Sequence, residues 1–456
     1  MLSTTLLQIG RTLLRCSTFL GIVGLGVAQA AEQQISGNLS FFDERDAALV
    51  PFPLPDDHFR PLANVPYAVV IKQGGKQKIV GYGITHTNGA IIHQLEIQKA
   101  KNEPATLTLL FTLQNNLWRM KDVLGKPYQM QSAALPFNPT QSGALDFGAM
   151  APVYGTLSHQ AAHVFTSVEE AWMYGTDGGW TQDDPLTVIW PNYKIAGGKI
   201  VTDPSGNPLA DGMSNASAST MRINFSKWLD DHGTIYHEYG HVIQQRLVTI
   251  PNPGYCWVEA QATNYTEGDG CWHNTESQEY PAAAFIEGWA DFYEYSVANY
   301  VLPEYNDNAY VMYVEAETRT INPLDDTNEG NVAAVLVDLL DTAIDSHAAQ
   351  TEHFQIKPIT TGTTTTYYYD FTQTLLDGTD QLGWTFSGLL AVLAHLNETG
   401  VTQEVGIEAF IAELRTMCVE QAWACAEATW DEHFDQLAQT SWVNLQANTA
   451  PTPYPW

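Results

Sequence analysis

Positive charge is scarce in this chain. Lys and Arg together number 20 of 456 residues, against 51 Asp and Glu, and the formal net charge is −31. Such a balance excludes nucleic acid as a natural partner, because phosphate binding depends on clustered Lys and Arg. It fits a highly soluble, exported protein instead. Cysteine is also scarce, with five residues. No long apolar run follows the first thirty residues, so no membrane span is expected in the mature chain. No repeat of solenoid period occurs either. Apolar residues at 45% and aromatics at 11% are ordinary for a folded protein and exclude wholesale disorder. The length suits two or three domains and at least one large core.

The N-terminus carries an export pattern. Arg11 and Arg15 flank the apolar run "FLGIVGLGVA" from Phe19 to Ala28, and Ala28 and Ala30 occupy the small-residue positions of a cleavage site. The run is too short to span a bilayer. Residues 1–30 therefore read as a signal peptide, and the mature chain as secreted or periplasmic. Cys16 would leave with it. Cys256, Cys271, Cys418 and Cys425 remain, an even number that suggests two disulfides in an exported protein. Cys256–Cys271 and Cys418–Cys425 are the first choice among three connectivities. The second pair needs a helix break, since residues seven apart in a helix lie about 10 Å apart.

From Ile35 to about Thr112 the pattern is short and β-branched: "ISGNLSFFD", "PYAVVIKQ", "KQKIVGYGITHTNGAII" and "ATLTLLFTL". Gly74-Gly75 and Asn88-Gly89 are hairpin signals. A β-sandwich over 31–125 is expected. Residues 126–150, with the Pro-, Gly- and Ser-rich "LPFNPTQSGALDFG", read as a linker. The region 151–445 is mainly helical in period. "TLSHQAAHVFTSVEEAWMYG" reads as a helix, and "LTVIWPN" and "ASASTMRINF" as strands. "ITTGTTTTYYYDF" reads as a loop or exposed strand. Residues 446–456 form a Pro-rich tail.

Within that region stands "HEYGHV", His237 to Val242. Asp230 and Asp231 are N-cap candidates for its helix, and Ile235, Tyr239, Val242 and Ile243 can form a buried stripe. His237 and His241 are four apart, so both face one side and can reach one Zn²⁺. Glu238, one step round, suits a base for a water at that ion. With 13 histidines and 51 acids in 456 residues, chance supplies His-acid-x-x-His roughly 0.04 times per chain. A third ligand is needed for a catalytic zinc. A histidine six residues past His241 would serve one enzyme class, but that position is Leu247, and Gln244 replaces the glycine that class requires. "PAAAFIEGWADFYEY", Pro281 to Tyr295, offers Glu287, 46 residues after His241. Asp291 lies four further on and suits the acceptor that orients a zinc-bound histidine, taken as His237. Glu294 is a rival ligand.

"HEYGH" followed by "EGWAD" resembles the gluzincin zinc peptidases, the thermolysin- and fungalysin-like clan. The resemblance covers about residues 150–345, including "DDHGTIYHEYGHVI" and "NEGNVAAVLVDLLD". It implies zinc ligands His237, His241 and Glu287, Glu238 as catalytic base, and Asp291 as the carboxylate behind a histidine. The implied architecture is multidomain: an N-terminal β-sandwich, then an α+β thermolysin-like zinc metallopeptidase domain with a mostly helical C-terminal lobe. The β-module itself resembles prealbumin-like and carboxypeptidase-regulatory-like modules through "THTNG". Two features depart from the clan. The residues before the catalytic region do not resemble its inhibitory propeptide. The oxyanion-stabilising His or Tyr has several candidates here: His347, His353, Tyr367 to Tyr369 and His395.

The implied function is a secreted zinc-dependent endopeptidase that hydrolyses peptide bonds of a peptide or protein substrate through a zinc-activated water, with Glu238 as base. The alternatives are a zinc aminopeptidase, a non-peptide hydrolase on the same scaffold, and a non-catalytic zinc-containing binding or adhesion protein. "ASASTMRINF" has two readings of equal weight, an ordinary strand or a cleft-edge strand that binds extended peptide. The cluster "LDDTNEG" makes calcium a possible second ion without supporting it, and a solvated acidic loop is the favoured reading.

Overall fold

The computed structural model describes residues 31–43, 59–97, 104–211, 214–224, 232–250, 280–301, 329–340, 354–361, 364–371, 385–398 and 405–420. Ten strands come first: β1 (Ala31–Phe42), β2 (Phe59–Pro61), β3 (Pro66–Gln73), β4 (Lys76–Ile84), β5 (Ala90–Ile97), β6 (Ala105–Thr112), β7 (Trp118–Lys121), β8 (Gln129–Gln131), β9 (Leu135–Phe137) and β10 (Gly143–Met150). One sheet runs β10-β1-β2, with β5 also on β1; another runs β4-β3-β6-β8, with β9 also on β6. Period-two alternation turns Ile35, Leu39 and Phe41 of β1, Val69 and Ile71 of β3, and Leu107, Leu109 and Phe111 of β6 inward. These side chains share one buried apolar cluster, each worth about 1.5–3 kcal/mol of transfer free energy.

Two local expectations differ from the structure here. Gly74-Gly75 closes the β3–β4 hairpin, with Gln73 opposite Lys76 and both glycines at positive φ. Asn88-Gly89 does not close a hairpin with β4. It turns the chain out of the β3–β4 sheet into β5, which pairs with β1. The stretch 126–150, expected as a linker, is paired backbone: β8 and β9 on β6, and β10 parallel to β1. Phe137, Leu145, Phe147 and Met150 pack against the core, which explains the pairing. Pro136 is tolerated because β9 pairs with β6 alone and so stands at an edge.

The second region contains α1 (Leu157–Asp177), β11 (Leu186–Ile189), β12 (Ile195–Ala196), β13 (Lys199–Ile200), β14 (Asn215–Ser217), β15 (Thr220–Arg222), α2 (His232–Leu247), α3 (Pro281–Val301), α4 (Glu329–Leu340), β16 (Phe354–Thr361), β17 (Thr364–Phe371), α5 (Phe386–Glu398) and α6 (Ile407–Glu420). Thr156 caps α1, its hydroxyl accepting from the His159 amide. "ASASTMRINF" is not one strand but the β14–β15 hairpin, turning at Ala218-Ser219. Of Ile359 to Phe371, read as a loop or exposed strand, residues 359–361 and 364–371 belong to the antiparallel pair β16–β17.

The expected border between a β-module and a helical region is bridged. The sheet β14-β15-β11-β7 pairs β7 with β11 in parallel. Trp118 of β7 packs its ring 5.6 Å from Phe165 and 5.8 Å from Trp172, both on α1. Arg60 of β2 pairs with buried Asp43 at 2.6 Å and with Glu170 of α1 at 3.3 Å. Glu170 accepts in turn from the Tyr236 hydroxyl of α2, at 2.7 Å.

On α2, Ile235, Tyr239, Val242 and Ile243 are all fully buried. Their opposite neighbours on α3 come unusually close. A Cβ on Gly240 would lie 2.9 Å from the Tyr293 Cβ and 3.0 Å from the Ala290 Cα. A Cβ on Gly288 would lie 2.6 Å from the Glu329 carbonyl oxygen of α4. The glycines inside both motifs therefore let three helices approach backbone to backbone. Trp289, Tyr293 and Phe386 of α5 fill the space beyond. No helix among the described residues is long and apolar enough to cross a membrane. Residues 1–30, Asp230, Asp231, Cys256, Cys271, Cys425, His347, His353 and the tail 446–456 lie outside the described residues.

Candidate metal centre

His237 and His241 stand one turn apart on α2, with ring centroids 4.7 Å apart and planes at 87°. Their Nε2 atoms are 3.1 Å apart. Glu287 approaches from α3, its Oε2 3.2 Å from the Nε2 of His237 and 3.1 Å from that of His241. The α2–α3 approach that allows this is held by Gly240 and by the Trp289 indole, which donates to the Gly240 carbonyl at 3.2 Å. The three donors form a near-equilateral triangle. A tetrahedral set at 2.0–2.1 Å from an ion has edges of about 3.3 Å, so the spacing fits a small cation such as zinc. Two imidazole nitrogens and one carboxylate oxygen are also a donor set zinc accepts. These three residues form a group able to hold a metal ion.

The outer partners are unequal. The Nδ1 of His237 lies 2.8 Å from Asp291 Oδ1 and 3.9 Å from Glu294 Oε2. His237, Asp291 and Glu294 form a second group able to hold a metal ion, so Glu294 stands beside His237 as a rival ligand. The Nδ1 of His241 is buried with no hydrogen-bond partner among the described residues. His237 is therefore the better oriented of the two rings. Burial alone would hold the His237 imidazole neutral. Hydrogen bonds and charge from Asp291 and Glu287 outweigh it and raise its pKa well above the usual histidine value. A metal ion binding there must displace that proton.

Glu238 is 5% exposed. It lines a cavity of about 850 Å³ together with His237, His241, Glu287 and Glu294. β14 is an edge of its sheet and forms the facing wall with Asn215, Ala216 and Ser217. The end of α2 fastens this hairpin. Gln245 donates to the Ala216 carbonyl at 3.3 Å, and the Arg246 Nε donates to the Ala218 carbonyl at 2.6 Å. One carbonyl of the edge is thus already occupied. Of the oxyanion candidates, His395 faces Glu413 of α6 and is not among the described residues that line the cavity. Gln244, noted in the sequence only for not being glycine, proves to be a buried cavity-lining residue. Burial of a lone amide gives no periodic signal that could have marked it.

No protein-family model matches the chain, and no curated protein matches it. Among solved structures, it is similar to a 9R-lipoxygenase from Cyanothece PCC8801 at 12% identity, over 37% of this chain and 27% of that one, with a TM-score of 0.17. A likeness that slight carries neither a fold nor a function.

Proposed function

We propose that the chain is a secreted zinc-dependent metalloendopeptidase of the gluzincin type, with an α+β thermolysin-like catalytic region. The observation that carries this reading is the donor triangle of His237, His241 and Glu287, opening on the same cavity as Glu238. A purely structural metal site has four protein ligands and no use for a base beside it. When bound there, zinc supplies a Lewis acid that polarises a carbonyl and makes a water more acidic near neutral pH.

The chain's own residues do the rest. Glu238 takes the proton from the attacking water and returns it to the leaving amine. Asp291 holds the Nδ1 proton of His237, which leaves Nε2 free as a ligand. The short edge strand β14 offers backbone groups beside the site to an extended peptide, apart from the carbonyl held by Gln245.

Zinc content and casein zymography with and without chelator test the reading together. One zinc per chain and chelator-sensitive cleavage within casein are expected. A zinc-free chain, or a zinc-loaded chain that cleaves neither casein nor any peptide, would overturn it. Cleavage confined to residues bearing a free amino terminus would make the protein an aminopeptidase.

A further inference from the structure

Gln244 lies three residues after His241, on the same face of α2. It is 1% exposed, and its Nε2 is buried with no hydrogen-bond partner among the described residues. A buried amide donor left unmade is costly, and folded proteins satisfy nearly all of them. Gln244 nevertheless lines the cavity that holds the donor triangle. The same cavity is lined by Ala216, Val248 and Ile250, which are apolar, and by Gln245 and Thr249, which are polar.

We infer that Gln244 is a specificity-determining residue, forming a subsite for a substrate side chain that ends in a carboxamide: glutamine or asparagine next to the cleaved bond. This rests on the peptidase reading. Side chains three apart on a helix lie about 5–6 Å from each other, so the subsite adjoins the metal centre. Charge selects against the acidic analogues. Glu238, Glu287 and Glu294 line the same cavity, and no Lys or Arg is among its described lining residues. A carboxylate brought there would remain among an excess of like charges even beside a divalent cation. An ammonium group is drawn by those acids, but it only donates and so leaves the Gln244 Nε2 donor unpaired. An aliphatic side chain leaves the amide unpaired. A carboxamide offers both an acceptor and donors, and so matches the Gln244 amide in either orientation.

The test separates this inference from the peptidase reading. Capped peptides differing only in Gln, Leu, Glu or Lys at one position are titrated calorimetrically into the Glu238→Gln protein and into Glu238→Gln/Gln244→Met. Cleavage profiles of the wild type and of Gln244→Met are read by mass spectrometry. The Gln peptide should bind about 5- to 150-fold more tightly than Leu or Glu in the first protein, and the advantage should vanish in the second. Gln244→Met should also raise the ligand-free melting temperature by about 1–4 °C, because the unpaired donor is gone. An unchanged Gln-to-Leu ratio in the Met variant, or a preference for Glu or Lys, overturns the subsite. Should Gln244→Met misfold, Gln244→Leu repeats the comparison. Absence of zinc and of cleavage counts against the peptidase reading alone, since the calorimetric arm still scores Gln244.

Discussion

Asp291 is the most informative residue to remove, because it touches the candidate centre without belonging to its donor triangle. Its Oδ1 lies 2.8 Å from the Nδ1 of His237, and its Oδ2 is buried with no hydrogen-bond partner among the described residues. The carboxylate is thus committed to one histidine. Loss of such a partner lowers metal affinity by about 10–100-fold, or about 1.4–2.7 kcal/mol. Glu294 stands 3.9 Å from the same nitrogen and supplies part of the lost charge. Asp291→Asn should therefore fall near the lower end of that range, and Asp291→Asn/Glu294→Gln near the upper end. Competition for zinc against a chromogenic chelator at pH 7.5 measures both, with circular dichroism as the check on folding. Two folded variants that hold zinc as tightly as the wild type would refute the assigned role. So would a double variant no weaker than the single one, for the part given to Glu294.

The other predictions concern the ligand set, the helix crossing and a buried acid. Glu287→Ala should abolish tight zinc binding in atomic absorption measurements; full retention would move the third ligand elsewhere, most directly to Glu294. Gly240→Ala should cost about 1–3 kcal/mol of stability, since its Cβ would collide with the Ala290 backbone and Tyr293, and should also weaken zinc binding by displacing Glu287. A melting temperature and zinc affinity equal to the wild type would show that the two helices are not in contact as described. Glu169 is 8% exposed and accepts from Asn64 at 3.1 Å. Burial, assisted by the charge of Glu170 and opposed by the Asn64 bond, lifts its pKa to about 7. A carboxyl raised in the folded state stabilises fully below its unfolded pKa near 4.5, and that contribution is lost as pH rises through 7. The difference between the two ends of that window is about 3 kcal/mol. Glu169→Gln should accordingly raise the melting temperature at pH 8 and change it little at pH 4.5; equal shifts at both would contradict the assignment.

What could be read from the residues was local and periodic. Ile235, Tyr239, Val242 and Ile243 are spaced for a helix face and are all buried. The same period put His237 and His241 on one side, and Pro281, suited to a first helical turn, begins α3. The Gly74-Gly75 turn is legible because positive φ at two successive residues demands that chemistry. What escaped was pairing at a distance. Nothing in "WRMK" announces a parallel partner sixty-odd residues on, and its pattern groups β7 with the strands before it. The Pro- and Gly-rich stretch around Pro136 hid an edge strand, where such residues cost little. Ala218-Ser219 carries no strong turn signal, yet the chain reverses there. In the sequence Gly240 and Gly288 are only letters of the two motifs, whereas their use is the close packing of α2, α3 and α4.

The central claim is that His237, His241 and Glu287 hold a catalytic zinc served by Glu238. The Glu238→Gln protein tests it most directly, because the substitution keeps the shape of a residue that is 5% exposed and removes its basicity. Zinc stoichiometry and hydrolysis of a quenched fluorescent peptide are measured on the same sample. The account predicts one zinc per chain with hydrolysis reduced by at least about 100-fold. Retained hydrolysis by the zinc-loaded variant would contradict it.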